Sequence, residues 1–310
     1  MMKSRLYYPK TLGDAPQFIF EGVAADSDLT FRPDFTMQPR SFIRKVLKFL
    51  FVGRIPLSGR MVELITGYKG YAWLPTLQPG DRLLVNGVTN LHTLKAIAWL
   101  VPDGVRKFNY FNNCLRFYFP ESTVGRRVQR MQQMGYRLMT FDPDEAQRYG
   151  MTYTEQFYRY PDKTETTIKY DFFFCGERKD RLERLNRLRE QLEGMGYRCL
   201  FIIVPPADKI SYLQYLEHVR ESRCIVDLMQ ESQAGLTRRP IEALFFGKKL
   251  LTENTFVSTY DFYRPENVFI LHKDPMNSLS RFMEQPLVAD EALDEAKRHY
   301  DVNHWLEYFK

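Results

Sequence analysis

From Tyr170 onward, short apolar runs alternate with longer stretches whose apolar residues recur every three or four positions. "YDFFFCG" (Tyr170 to Gly176) reads as a buried strand ended by glycine. A helix is predicted from about Arg178, with Leu182, Leu185, Leu188 and Leu192 on one face and Gly194 and Gly196 at its end. The strand "RCLFIIV", a helix over "DKISYLQYLEHVR", the strand "CIVDL", another helix, and the strands "KKLLT" and "NVFIL" follow. Such alternation with short connections predicts a parallel sheet covered by helices on both faces.

The first half repeats the design less regularly. "DRLLVNG" (Asp81 to Gly87) reads as a strand before a helix from Asn90 to Leu100, and "VRKFNYF" as the next strand. A helix over "STVGRRVQRMQQMG" leads to the strand "YRLMTFD" and a short helix from Pro143. The polar, proline-containing segment Gln156 to Lys169 separates the halves. The predicted fold class is α/β, two Rossmann-like doubly wound domains facing a cleft, since open α/β sheets take ligands beyond the carboxyl ends of their strands. Residues 1–160 form the first domain, 161–285 the second, and 286–310 a closing helix.

With 310 residues, 44% hydrophobic and 26% charged, the chain can bury two cores, which excludes global disorder. No apolar stretch approaches the roughly 20 residues of a membrane span, and the first residues lack the apolar centre of a secretion signal. A cytoplasmic protein is expected. Cys114, Cys175, Cys199 and Cys224 show no paired spacing, so they read as reduced, buried thiols. A net charge of +6 points to an anionic partner without choosing among nucleic acid, membrane and nucleotide.

Candidate chemistry gathers at "QESQAGLTRRPIEALFFGKKLLTEN", Gln230 to Asn254. A helix starting after Thr237 places Arg238 and Arg239 in its first turn, where cations oppose the helix dipole. An anion docked on the amides of Gly235, Leu236 and Thr237 reverses that sign, and Gly235 leaves it room. Glu242, one turn further, can accept two hydrogen bonds from vicinal hydroxyls such as those of a ribose. The bland alternative is a capped helix, a turn glycine and a solvated glutamate. A second basic strand-to-helix junction, "FFFCGERKDR", carries Arg178, Lys179 and Arg181, and the two junctions can together bind a pyrophosphate. Arg184, Arg187 and Arg189 read as a solvated face.

These segments resemble the GT-B glycosyltransferases, particularly those of bacterial capsule, lipopolysaccharide and exopolysaccharide synthesis. The resemblance covers Tyr170 to the C-terminus well and the first half loosely. "FFFCGERKDRLERLNRLREQLEGMGYRCLFIIV" looks like the opening of a nucleotide-sugar domain, and "SQAGLTRRPIEALFFGKKLLTEN" like its donor motif. It implies donor contacts at Gly235, Leu236 and Glu242, with Glu242 on the ribose, and leaving-group stabilisation by Arg178 and Lys179. It also implies a C-terminal tail that braces the first domain. Ala234 stands where many retaining members carry a glutamate, which leaves the stereochemistry open.

The expected activity is metal-independent transfer of a sugar from a nucleotide-sugar to a saccharide or lipid-linked acceptor, with no cofactor. The alternatives are a GT-B-like scaffold without catalysis and a nucleotide-sugar epimerase. Asp142 and Asp144 have an Asp-x-Asp spacing, but Asp142, Pro143 and Glu145 read as N-cap, first residue and capping-box partner of a helix. On the acceptor side, Asn86, Thr89 and Asn90 could bind hydroxyls, and His92 is the candidate general base, against a structural role for each. Asn109, Asn112 and Asn113 are weaker candidates of the same kind. Residues 39–60 carry six basic and no acidic side chains, interleaved with Phe42, Ile43, Val46, Leu47, Phe49, Leu50 and Phe51. Such a helix either lies peripherally on an anionic membrane surface or buries its apolar side and leaves a solvated basic one.

Overall fold

The computed structural model describes residues 4–9, 14–32, 39, 41–162, 164, 166–177, 181–204, 210–229 and 235–310. The chain divides into two units, one of residues 1–12, 24–154 and 309–310, the other of 13–23 and 155–308. In chain order, β1 (Leu6–Pro9) opens the first unit, and α1 (Asp14–Phe20) belongs to the second. The first unit continues with β2 (Leu29–Arg32), α2 (Phe42–Phe51), α3 (Gly59–Thr66), β3 (Arg82–Asn86), α4 (Leu91–Leu100) and β4 (Arg106–Phe111). α5 (Glu121–Gln133), β5 (Tyr136–Thr140), α6 (Pro143–Tyr149) and β6 (Thr152–Tyr153) complete it.

All six strands are parallel, in the order β2-β1-β3-β4-β5-β6. Leu83, Val85, Phe111 and Leu138 on the strands pack against Leu94 and Ile97 of α4 and Val124, Val128 and Met131 of α5. β1 and β2 have no counterpart in the sequence pattern, because four residues such as "LYYP" are too few to show a period. Phe309, at the end of the chain, packs edge-on against Phe108, and Arg82 donates to its carbonyl at 3.4 Å.

The second unit holds β7 (Tyr170–Glu177), α7 (Leu182–Gly194), β8 (Cys199–Val204), α8 (Tyr212–Arg220), β9 (Ser222–Asp227), α9 (Arg238–Phe246), β10 (Lys249–Thr252) and β11 (Val268–Ile270). α10 (Leu279–Glu284), α11 (Glu291–His299) and α12 (Val302–Trp305) end it. Its five strands are parallel in the order β11-β10-β9-β7-β8. Phe172, Phe174, Val226, Leu251 and Phe269 of the sheet pack with Leu185, Leu188 and Leu192 of α7. Ser211 caps α8 through a reciprocal capping box with Gln214, which starts that helix later than the apolar pattern suggests. Both units are thus Rossmann-like α/β layers. Residues 286–308 belong to the second unit, where Arg264 pairs with Asp290 at the start of α11, and the last two residues belong to the first.

The sequence leaves α2 two alternatives, and its apolar side is not buried. Phe42 is 79% exposed, Ile43 69% and Phe49 64%, whereas Lys48 is buried. No described helix is long and apolar enough to cross a membrane.

Candidate functional site

The strand order of the second unit reverses at β7, which pairs with β8 on one side and β9 on the other. Ligands of open α/β sheets bind beyond the carboxyl ends at such a switch point, where diverging crossovers leave a crevice. Here β7 ends in Cys175, Gly176 and Glu177, and β9 in Asp227.

Asp227 is fully buried. Its Oδ1 accepts from the Thr237 hydroxyl at 2.9 Å and from Arg239 Nη1 at 3.3 Å, and its Oδ2 from the Thr252 hydroxyl at 3.1 Å. A buried carboxylate needs such a set of donors, because its desolvation is otherwise unmet. Thr237 is the N-cap of α9, as the sequence predicts, but its hydroxyl points to Asp227 and not to the first-turn amides. Arg239 also donates to the Cys175 carbonyl at 2.8 Å and lies 4.9 Å from the Phe174 ring centroid. The sequence predicts an external anion to offset Arg238 and Arg239 at the helix start. For Arg239 an internal one, Asp227, already does so.

Arg181 meets the same ring at 5.2 Å, and it bonds the carbonyls of Leu228 and Glu177. Gly176 makes room for both guanidinium groups: an added Cβ would stand 2.7 Å from Arg239 Nη2 and 3.1 Å from Arg181 Nη2. Arg178 and Lys179 lie outside the described residues. Gly235 and Leu236 are both buried, immediately before α9.

Beside this anchor opens a cavity of about 670 Å³, lined among others by Gly176, Val204, Tyr212, Arg238, Arg239 and Glu242. Glu242 is 2% exposed. Its Oε1 accepts from Tyr212 Oη at 2.8 Å and its Oε2 from Tyr215 Oη, while Tyr158 and Tyr212 exchange a hydroxyl contact at 2.6 Å. Tyr212 and Tyr215 stack with centroids 5.4 Å apart. Burial first, and then the negative charge of Glu242, push all three tyrosyl hydroxyls upward, so they remain protonated donors; Arg238 offsets part of this for Tyr158 and Tyr212. The carboxylate is therefore more enclosed than a helix position near a phosphate site suggests. Each oxygen still has one acceptor position beyond its tyrosyl partner.

A second cavity, about 630 Å³, opens by α7 and β11. Arg184 forms part of its wall through an ion pair with Glu253 at 2.8 Å and a bond to the Met229 carbonyl at 3.0 Å. That replaces the solvated role read from its place in an arginine-rich helix.

The residues singled out in the first unit sit at the carboxyl end of β3. Asn90 caps α4, its Oδ1 accepting from Thr93 N at 2.9 Å. His92 Nδ1 is 3.5 Å from the Gly53 carbonyl oxygen. Asn86 and Thr89 are half-buried beside them. Asn109 is buried and bonds both backbone groups of Val88, and Asn112 accepts from Tyr118. Asp142 caps α6 by accepting from Asp144 N and Glu145 N. Glu145 does not return the bond as a capping-box partner; it accepts from Leu115 N at 2.6 Å and Thr140 Oγ1 at 3.2 Å. All four cysteines are free thiols, and burial pushes Cys175 up to about 11 and Cys114 and Cys199 to about 12. Among the described residues no three His, Cys, Asp or Glu side chains are grouped to hold a metal ion.

No family model matches the chain, and no curated protein matches its sequence.

Proposed function

We propose that the second unit binds the nucleoside diphosphate of an activated sugar and that the protein is a glycosyltransferase of GT-B type, acting in bacterial surface-polysaccharide synthesis. The observation that carries this reading is the joining of Arg238, Arg239 and Glu242 in one cavity of nucleotide size beside the switch point. Cations at the carboxyl end suit a diphosphate, and a fixed carboxylate suits vicinal ribose hydroxyls.

In the reaction, an acceptor hydroxyl oxygen forms a bond to the anomeric carbon as the bond from that carbon to the diphosphate breaks. The hydroxyl proton passes to a base, and the leaving diphosphate takes the electron pair. Its charge is met by Arg238, Arg178 and Lys179 and by the amides of Gly235, Leu236 and Thr237, with no metal or cofactor required. Gly176 and Asp227 position the guanidinium of Arg239 at the wall of this site. Asn86, Thr89, Asn90 and His92 remain the acceptor-side candidates, with His92 the candidate base.

Incubation of the protein with UDP-, GDP-, dTDP- and ADP-sugars and with saccharide or lipid-linked acceptors tests this. Release of one nucleoside diphosphate, accelerated by acceptor, is expected. Binding without release would favour a scaffold, and conversion of the sugar without acceptor an epimerase.

A further inference from the structure

α2 is built inside out. Phe42, Val46 and Phe49, with Ile43 and Leu50, share one side of the helix at spacings of three and four residues, and each is exposed. The opposite side carries Lys48, which is buried, and Arg44, whose guanidinium lies against Gly67 at the C-cap of α3. Burial pushes Lys48 down to about 8. A surface helix ordinarily buries its apolar stripe and solvates its charges. On α3, Met61 (51% exposed) and Leu64 (77%) extend the exposed apolar surface, while Val62 packs into the core.

This surface is rimmed by cations. Lys45, Arg54 and Arg60 are exposed around it. Arg54 is held over the Phe49 ring at 4.7 Å and donates to the Phe49 carbonyl at 2.7 Å. The one acidic side chain of the segment, Glu63, is turned inward to accept from Gly70 N and Ala72 N at 2.6 and 2.9 Å. The hairpin is also rigidly seated: Gly53, between the helices, has φ of 72° and no room for a side chain against the His92 carbonyl. Its apolar side chains are thus held outward.

We propose that α2 and α3 dock the protein on an anionic lipid bilayer, with Phe42, Ile43, Phe49 and Leu64 in the acyl boundary and Lys45, Arg54 and Arg60 at headgroup level. Apolar burial supplies the attachment and the cationic rim the preference for negative lipid. A second copy is a poor occupant, because a two-fold pairing of this face brings two cationic rims together. The inference does not depend on the enzymatic reading and is tested without it.

Cosedimentation with vesicles of phosphatidylcholine, alone or mixed with phosphatidylglycerol, is the experiment. The wild-type chain is expected to bind the anionic vesicles, and Phe49→Ser with Leu64→Ser to lose roughly tenfold or more of that partitioning. Both residues are exposed, so the thermal midpoint of this variant should stay near that of the wild type. Lys45→Glu with Arg60→Glu should remove the preference for phosphatidylglycerol. Failure of the wild type to bind anionic vesicles overturns the proposal, as does equal binding by the apolar variant. A wild-type dimer in solution, lost in Phe49→Ser with Leu64→Ser and accompanied by no vesicle binding, identifies a second copy as the occupant instead.

Discussion

Asp227 and Arg239 meet at 3.3 Å, with the carboxylate fully buried at the end of β9 and the guanidinium in the first turn of α9. The pair ties the start of α9 to the sheet, and the second Arg239 bond, to the Cys175 carbonyl, extends the tie to β7. Arg239→Ala leaves a buried carboxylate with only two hydroxyl donors, so it should cost about 3 kcal/mol, at the lower end for a broken buried pair. Urea unfolding measures this. A loss under about 1 kcal/mol would mean that the pair is solvated.

Glu242 accepts two tyrosyl hydroxyls that have little access to water. Glu242→Ala therefore strands Tyr212 and Tyr215 and should lower stability by roughly 2 to 6 kcal/mol, at one to three for each buried unpaired group. Glu242→Gln keeps the shape and an acceptor and should lose much less. Comparing both variants by thermal unfolding checks the hydrogen-bond account, and only the glutamine variant is suitable for ligand binding.

Gly53 and Gly150 both have left-handed backbones, with φ of 72° and 61°. A Cβ on Gly53 would stand 1.9 Å from the His92 carbonyl oxygen, whereas one on Gly150 meets nothing within 4 Å. Gly150→Ala should cost about 1 to 2 kcal/mol from backbone strain alone. Gly53→Ala should cost clearly more, since backbone must move. Equal losses would show that the α2–α3 connection yields.

Burial raises the Glu145 carboxyl from an ordinary 4.5 to about 7, opposed by its bond from the Leu115 amide. The folded chain therefore holds this proton over a range where the unfolded chain has released it. The resulting stabilisation is fully present below about pH 4.5 and is lost as pH rises through about 7. Glu145→Gln should flatten the fall in stability between pH 5 and pH 8, read from unfolding midpoints at both. An unchanged slope assigns the fall to other groups.

The second unit is legible in sequence because β7 to β10 are near-continuous apolar runs separated by helical patterns, and α7 carries leucines at helical spacing. The start of α9 at Thr237 follows from its neighbours in the same way. Asp227 is not legible there, since in sequence it looks like the polar end of a strand. Its signal is a lone acid at a strand end followed by Thr237 and Arg239, which becomes visible only once burial is known. Tyr212 and Tyr215 are three apart on α8 and read as ordinary helix residues, because their partner Glu242 lies far along the chain. α1 belongs to the second unit although β1 and β2, which flank it in the chain, belong to the first, and no local pattern reports such a crossing. The outward face of α2 is likewise invisible to periodicity, which shows that a helix is two-sided and not which side is buried.

The donor site is tested most directly by thermal unfolding in the presence of UDP, GDP, CDP, dTDP and ADP at millimolar concentration, for the wild type and Glu242→Gln. A ligand selective for the folded state stabilises it by about 2.7 kcal/mol at a hundred times its Kd. One diphosphate should raise the midpoint by several degrees, and the glutamine variant should lose most of that rise. No shift with any of the five would contradict a nucleotide site beside Glu242.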